Sequence, residues 1–315
     1  MSQVVVISGH PQLESSYTNK VILQQLSNEI TDVEIRRLDM LYPDYQIDVA
    51  AEQQALQQAD VIVLQFPFYW YSVPALLKKW IDDVFSFNFA YGPEGDKLKG
   101  KDFILSFTIG GPEEAYTPTG YNHFRIEELM KPLEQTAYLA KMNYQAPIYT
   151  HGMVYIPDVY NTQEQVESRA ASHANKLLSV IEQLLHEPKN IIKRFVAEWF
   201  EQMDRLPEDS GYFKKYLADD FYMNMPEGAF NGISGFEQWY EFARSTFKPD
   251  CRHEIEQLDV TEQDGEHHLS FRVRVIADTF AGESINLLVN ETWRLMLNQQ
   301  RDIKICDYKV DPVVS

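Results

Sequence analysis

The sequence predicts an α/β fold, a doubly wound parallel sheet of five strands, followed by a smaller α+β domain. Three observations carry this. Val4 to Ile7 and Val61 to Leu64 are short unbroken apolar runs, the pattern of strands buried on both faces. Helical-period segments follow such runs, and no hairpin signal separates them, which favours β–α units over a meander. Past Glu187-Pro188 the pattern changes: Leu269, Phe271, Val273 and Val275 alternate with Ser270, Arg272 and Arg274, the period of a half-buried antiparallel strand. The expected domains are therefore residues 1–187 and 188–315.

Each element has its own signal. The first strand ends in Ser8-Gly9-His10-Pro11, and the polar turn Gln12 to Thr18 leads into a helix with Val21, Ile22, Leu26 and Ile30 on one face. Ser15, Ser16, Thr18 and Asn19 cluster at that helix's start, as caps or as donors to an anion at the positive end of the dipole. Val33 to Leu38 is the second strand, and Asp48 caps a helix running to about Ala59. The third strand stops at Phe66-Pro67, because proline has no N–H for the ladder. Pro74 opens the next helix, with Leu76, Leu77, Trp80, Ile81, Val84 and Phe85 at helical spacing. Lys101 to Thr108 is the fourth strand, closed by Ile109-Gly110-Gly111-Pro112. Paired glycines there permit either a tight turn or a close backbone approach to a ligand. The loop Glu113 to His123 holds Tyr116, Tyr121, Asn122 and His123. Helix follows to about Met142 with an interruption at Pro132, and Ala146 to Tyr149 is the fifth strand. Gln163 to His186 is an amphipathic helix with Val166, Ala170, Leu177 and Ile181 inward.

The second domain reads as helices first: Asn190 to Met203, Ser210 to Leu217 and Phe236 to Phe247, with a short strand at Phe221 to Met225. Strands at Ile255 to Val260, Leu269 to Val275, Ile285 to Leu297 and Ile303 to Val310 come last, the layout of an α+β domain. Aromatic residues such as Trp199, Phe213, Trp239 and Phe247 would form an ordinary core or line a small-molecule pocket. His253, Asp278, Asn290 and Asp307 are the polar candidates for such a pocket.

Composition excludes several functions. Net charge is −19; residues 1–187 hold 13 Lys and Arg against 24 Asp and Glu, and residues 188–315 hold 15 against 23, so the halves carry −11 and −8. Neither offers the basic surface of a nucleic-acid binder. No HExxH or Cys/His array signals a metal, and no GxSxG, GxGxxG or GxxxxGK[ST] is present. With no basic n-region, no membrane-length apolar run and no CxxC, a cytoplasmic protein with free Cys251 and Cys306 is expected.

The most informative stretch is QFPFYWYSVPALLKKWIDDVF, Gln65 to Phe85. Phe66, Phe68, Tyr69, Trp70 and Tyr71 fall in the loop at the carboxyl end of the third strand, where open α/β sheets bind ligands. They suit a large planar ligand, a dimer patch or plain core packing. This stretch resembles the flavodoxin-like NAD(P)H:quinone oxidoreductases. With LYPDYQIDVAAEQ (Leu41 to Gln53) it is nearer still to the ancillary flavoproteins of glutathione-regulated potassium-efflux systems. The resemblance covers residues 1 to about 187 and implies sheet order 2-1-3-4-5. It implies FMN, with FAD the alternative, and NAD(P)H as co-substrate. It places the flavin phosphate at His10 and Ser16-Tyr17-Thr18-Asn19. The ring would lie between Phe68-Tyr69-Trp70-Tyr71 and Thr108-Ile109-Gly110-Gly111. It further implies a quinone or similar electrophile as oxidant, a homodimer, and alternatively a regulatory subunit of a membrane transporter. In the family a tyrosine and a histidine six residues on stabilise charge on the reduced flavin. Tyr116 fills the first role, but six residues on stands Asn122, with His123 after it. Either His123 substitutes, Asn122 offers a neutral hydrogen bond, or His123 merely caps the next helix. The second domain resembles the SnoaL/NTF2-like cone fold by pattern.

Overall fold

Valine- and isoleucine-rich runs with no polar face must be covered on both sides, and the first unit is built to do so. The chain divides into two units, Met1–His186 and Glu187–Ser315, and the computed structural model describes residues 3–313. The first unit runs β1 (Val4–Ser8), α1 (Asn19–Glu29), β2 (Val33–Arg37), α2 (Leu38–Leu41), α3 (Val49–Gln58), β3 (Val61–Pro67) and α4 (Ala75–Val84). It continues through β4 (Asp102–Thr108), α5 (Ile126–Leu129), α6 (Lys131–Leu139), β5 (Asn143–Tyr144), β6 (Ile148–Thr150) and α7 (Gln163–Leu185). The strands are parallel in the order β2-β1-β3-β4-β5, with β6 also on β4. Alternation splits the core: Val5, Ile7, Ile62, Leu64, Phe103 and Leu105 pack with Leu77 and Trp80 of α4. Val4, Val6, Val61, Val63 and Ile104 pack with Ile22 and Leu26 of α1 and with Leu177 and Ile181 of α7.

Two buried arrangements hold the layers. Gly9 sits where a Cβ would come within 2.9 Å of Leu77 Cβ, so only glycine lets α4 approach the end of β1. Glu52 of α3 is fully buried and accepts from Arg36 Nε (2.8 Å), Tyr42 Oη (2.5 Å) and Trp80 Nε1 (2.8 Å). That explains the LYPDYQIDVAAEQ stretch, for it supplies both Tyr42 and Glu52; a buried carboxylate persists only when its oxygens are this fully engaged.

One backbone bond past the strand ends ties the loops of the carboxyl edge together. Gly9 N–H donates to Gln65 O, Phe68 N–H to Thr108 O and Ile109 N–H to Thr150 O, each at 2.9 Å.

The fifth strand differs from the expected Ala146 to Tyr149. It comes as two pieces, β5 and β6, because Pro147 between them has no N–H to give the ladder. The helix interruption falls at Met130, and Pro132 lies in the first turn of α6, where its missing N–H costs nothing.

The second unit is α8 (Pro188–Arg205), α9 (Gly211–Lys214), β7 (Leu217–Met225), β8 (Gly228–Asn231), α10 (Gly232–Thr246), β9 (Arg252–Gln263), β10 (Glu266–Asp278), β11 (Ser284–Leu297) and β12 (Ile303–Pro312). Its sheet has the order β8-β7-β12-β11-β10-β9, antiparallel except for the β12–β7 pair, an α+β domain with its long strands last. The helix expected to end at Leu217 stops at Lys214. The strand expected at Phe221 to Met225 begins earlier, at Leu217, so that Leu217 joins Phe221 and Met223 in the core, with Asp219 and Asp220 outward.

The polar candidates do not converge in this unit. Asp278 and Asn290 are exposed, Asp307 pairs with Arg294, and His253 Nδ1 meets Asp204 Oδ1 at 2.6 Å. The interior is filled by rings packed on one another: Trp199–Phe213 centroids are 4.9 Å apart and Trp293–Tyr308 centroids 4.5 Å. The buried acid is instead Glu291, which accepts from Trp293 Nε1 at 3.0 Å. Burial pushes its carboxyl up to about 8 from an ordinary 4.5, despite the opposing bonds from Trp293 and Tyr308. A folded-state value above the unfolded one means the folded state holds the extra proton between them. Stability is therefore fullest below about pH 4.5 and declines as pH rises to about 8, by at most about 1.4 kcal/mol per pH unit. Glu291→Gln should remove this slope, so that the variant's advantage over the parent grows between pH 5 and pH 8. Calorimetric melts at both pH values check it, and equal differences at the two would refute it.

Candidate functional site

The site begins with the chain's exit from β3. Pro67 ends the ladder, and Phe68 turns back into the core against Phe107, ring centroids 5.5 Å apart. Tyr69 and Ser72 then exchange backbone hydrogen bonds at 3.1 and 3.0 Å around Trp70 and Tyr71. Both central residues have positive φ, 48° and 62°. That is the pattern of a type I′ turn, which Asn-Gly normally fills. Bulky residues there cost about 1–3 kcal/mol each. The indole this turn presents is 91% exposed. The structure thus spends backbone strain to display a large ring at the sheet's carboxyl edge, while Phe66 and Phe68 serve the core.

The start of α1 faces the same edge. Ser16 Oγ accepts from Asn19 N–H at 3.0 Å and from Thr18 N–H at 3.4 Å, capping the helix. Tyr17 is exposed and meets Tyr155 edge-on. His10 is buried, and its Nδ1 accepts from Gln12 N–H at 3.1 Å. Burial lowers its pKa, against the pull of Asp39, and favours a neutral ring. With Nδ1 occupied as an acceptor, the proton is on Nε2, which is thereby a donor.

Beyond β4, Ile109 is buried with its N–H on Thr150 O, and Gly110 and Gly111 follow. Among the described residues no protein acceptor takes the N–H of either glycine. Tyr71 Oη donates to Asn122 Oδ1 at 3.0 Å, so the 112–123 loop closes on the aromatic turn through Asn122. His123 is exposed, and the helix after it starts at Ile126 with Arg125 as its cap, so His123 does not cap it. Tyr116 is half-buried, and burial, then Tyr71 and Tyr121, raise its hydroxyl pKa, keeping it protonated.

The histidine beside Tyr116 is His151, whose position after β6 gave no sequence signal. Its ring centroid lies 5.3 Å from that of Tyr116, and its Nδ1 lies 3.3 Å from Gly111 O. A carbonyl can only accept, so Nδ1 carries a proton and donates it here.

Comparison with known proteins identifies the family of the first unit. A family model described as "flavodoxin-like fold" matches residues 2–177. An uncharacterized NAD(P)H oxidoreductase, YdeQ of Bacillus subtilis, is 39% identical over 198 residues, 62% of this chain and 94% of that protein. The glutathione-regulated potassium-efflux ancillary protein KefG of Pectobacterium carotovorum is 40% identical over 162 residues, 51% of this chain and 88% of that one. Among solved structures, general stress protein 14 of Treponema denticola, in complex with FMN, superposes with a TM-score of 0.52 at 29% identity, covering 58% of this chain and 99% of that one. The chain belongs, through residues 2–177, to the flavodoxin-like family of these NAD(P)H oxidoreductase relatives.

Proposed function

We propose that the first unit binds FMN at the carboxyl edge of its sheet and passes reducing equivalents from NAD(P)H to a quinone or related electrophile. The observation that carries this reading is the strained, exposed Trp70–Tyr71 turn, because an apolar ring held out at a conformational cost needs a planar partner. The residues present fit a flavin nucleotide. His10 Nε2–H and the start of α1 suit its phosphate, as donors at the positive end of a helix dipole in an otherwise acidic unit. The unspent N–H groups of Gly110 and Gly111 suit the polar edge of its ring. The FMN-bound relative and the oxidoreductase relative support the same assignment.

A bound flavin supplies the two-electron hydride chemistry, and the protein need only position, exclude water and manage a proton. The Trp70–Tyr71 turn covers one side of the slot. Tyr116, kept neutral, offers a hydrogen bond toward charge developing in the slot. His151 is the imidazole beside it, and its contact with Gly111 O leaves Nε2 as the nitrogen that can take or give a proton. Asn122 secures Tyr71 rather than acting on a proton. In this reading His151 takes the part of the family's histidine, for which Asn122 stands at the motif position and His123 is one candidate substitute.

A second reading, a regulatory subunit of a potassium-efflux transporter, draws on the KefG relative, whose length this chain covers by 88%. Rescue of potassium efflux by the full chain would favour it. A homodimer, which the family resemblance implies, is the working assembly of this reading.

Two outcomes are expected. Trp70→Gly should relieve turn strain and stabilise the flavin-free protein by up to about 1 kcal/mol, while weakening FMN binding roughly tenfold or more. Thermal melts and fluorescence titration measure the two, and unchanged affinity would show that the indole does not stack on the flavin. His151→Gln should slow flavin reduction by NAD(P)H roughly 10²-fold with flavin still bound, whereas His123→Gln should not. Stopped-flow reduction decides, and the reverse pattern would return the role to His123.

A further inference from the structure

One face of the central strands carries a polar row in an otherwise apolar layer. Ser8, Gln65 and Ser106 lie side by side in register on β1, β3 and β4, all fully buried, and continue the face of Val6, Val63 and Ile104. The covering helices are polar at the same level: α1 contributes Asn19 and α7 contributes His173, 2% and 1% exposed. Buried polar side chains in a sheet this apolar are costly unless each is satisfied; Ser8 Oγ has no hydrogen-bond partner, whereas Gln65, Ser106, Asn19 and His173 bond to one another.

The bonds among them run one way. Thr150 Oγ1 lies 2.9 Å from His173 Nδ1, and His173 Nε2 lies 2.8 Å from Ser106 Oγ. Ser106 Oγ donates to Gln65 Oε1 at 2.6 Å, Gln65 Nε2 to Asn19 Oδ1 at 2.8 Å, and Asn19 Nδ2 to Thr108 Oγ1 at 3.0 Å. Burial lowers His173 to about 4, so the ring is neutral and owns one N–H. Since Ser106 gives its proton to Gln65, it must accept from His173 Nε2–H. Nδ1 must then accept from Thr150. The chain ends on Thr108, whose oxygen already accepts and whose O–H has no protein acceptor among the described residues. Thr108 stands at the last position of β4, directly before the Gly110-Gly111 loop.

We propose that His173 is a positioning residue: through Ser106, Gln65 and Asn19 it fixes Thr108 as a hydrogen-bond donor to an acceptor atom of bound FMN. This rests on the flavin reading above and adds to it a control from the far side of the sheet. Severing the relay leaves the Asn19 amide held only by the long contacts of Nδ2 to Ser16 Oγ and Thr18 Oγ1, both 3.5 Å, so that Asn19 and Thr108 can turn over, Thr108 presents a lone pair to an acceptor and the bond is lost.

The test is a double-mutant cycle on the full chain, stripped of flavin and titrated with FMN by fluorescence quenching. Ser106→Ala and Thr108→Val should each weaken binding roughly five- to tenfold, the worth of one hydrogen bond. If the relay acts through Thr108, the double variant should bind no worse than the weaker single one. Losses that multiply, to roughly thirty- to a hundredfold, would mean that Ser106 acts by general disturbance of the fold, and would overturn the relay. Should Ser106→Ala fail to fold, His173→Gln enters the same cycle under the same criterion. A parent that takes up no FMN overturns the flavin reading and the relay with it. A parent that binds FMN while the losses multiply overturns the relay alone.

Discussion

Three backbone hydrogen bonds, each one residue past the end of a strand, are what the rest of the first unit depends on. A parallel sheet delivers its strands to one edge but leaves the loops there without partners. The bonds from Gly9 to Gln65, Phe68 to Thr108 and Ile109 to Thr150 join those loops into one surface. Each exists because of a local feature. Gly9 allows Leu77 to pack close, Pro67 ends its own ladder so that the next N–H is the one that reaches β4, and Pro147 restarts the last strand so that Thr150 faces Ile109. The positive φ values of Trp70 and Tyr71 are tolerable because Tyr69 and Ser72 clamp the turn and Phe68 roots it in the core.

Polar groups in the two units are used in opposite ways. Glu52 in the first unit is surrounded by Arg36, Tyr42 and Trp80, and it locks α3 against β2 and α4. The row Ser8, Gln65 and Ser106 shares a face with apolar residues and leads to the sheet's carboxyl edge. Glu291 in the second unit is wrapped by aromatic rings, and its raised pKa is the mark of an acid kept neutral by burial. The first two arrangements organise a surface, whereas the third taxes stability as pH rises.

Much of this was legible before any coordinates. The apolar runs located β1 and β3, the period of two located β10, and Pro67 located the end of β3, after which the aromatic cluster sits at the carboxyl edge. Polar interruptions were also visible: Gln65 and Ser106 each break an apolar run, and His173 falls between Ala170 and Leu177 in the inward stripe of α7. Their connection was not visible, because register across three strands decides it and the contacts lie far apart in sequence. His151 was hidden for the same reason, since only the β4–β6 pairing brings it beside Tyr116. Phe221 to Met225 read correctly as strand, but Leu217 to Asp220 read as a helix end because Ala218-Asp219-Asp220 mimics one, and tertiary burial of alternate residues overrode that local pattern.

The decisive test of the proposed chemistry is whether this edge holds a working flavin. The full chain, reconstituted with FMN under anaerobic conditions, should lose its visible flavin absorbance on addition of one equivalent of NADPH or NADH per bound flavin and recover it on addition of benzoquinone. A chain that retains no FMN, or whose bound FMN neither nicotinamide reduces, would contradict it.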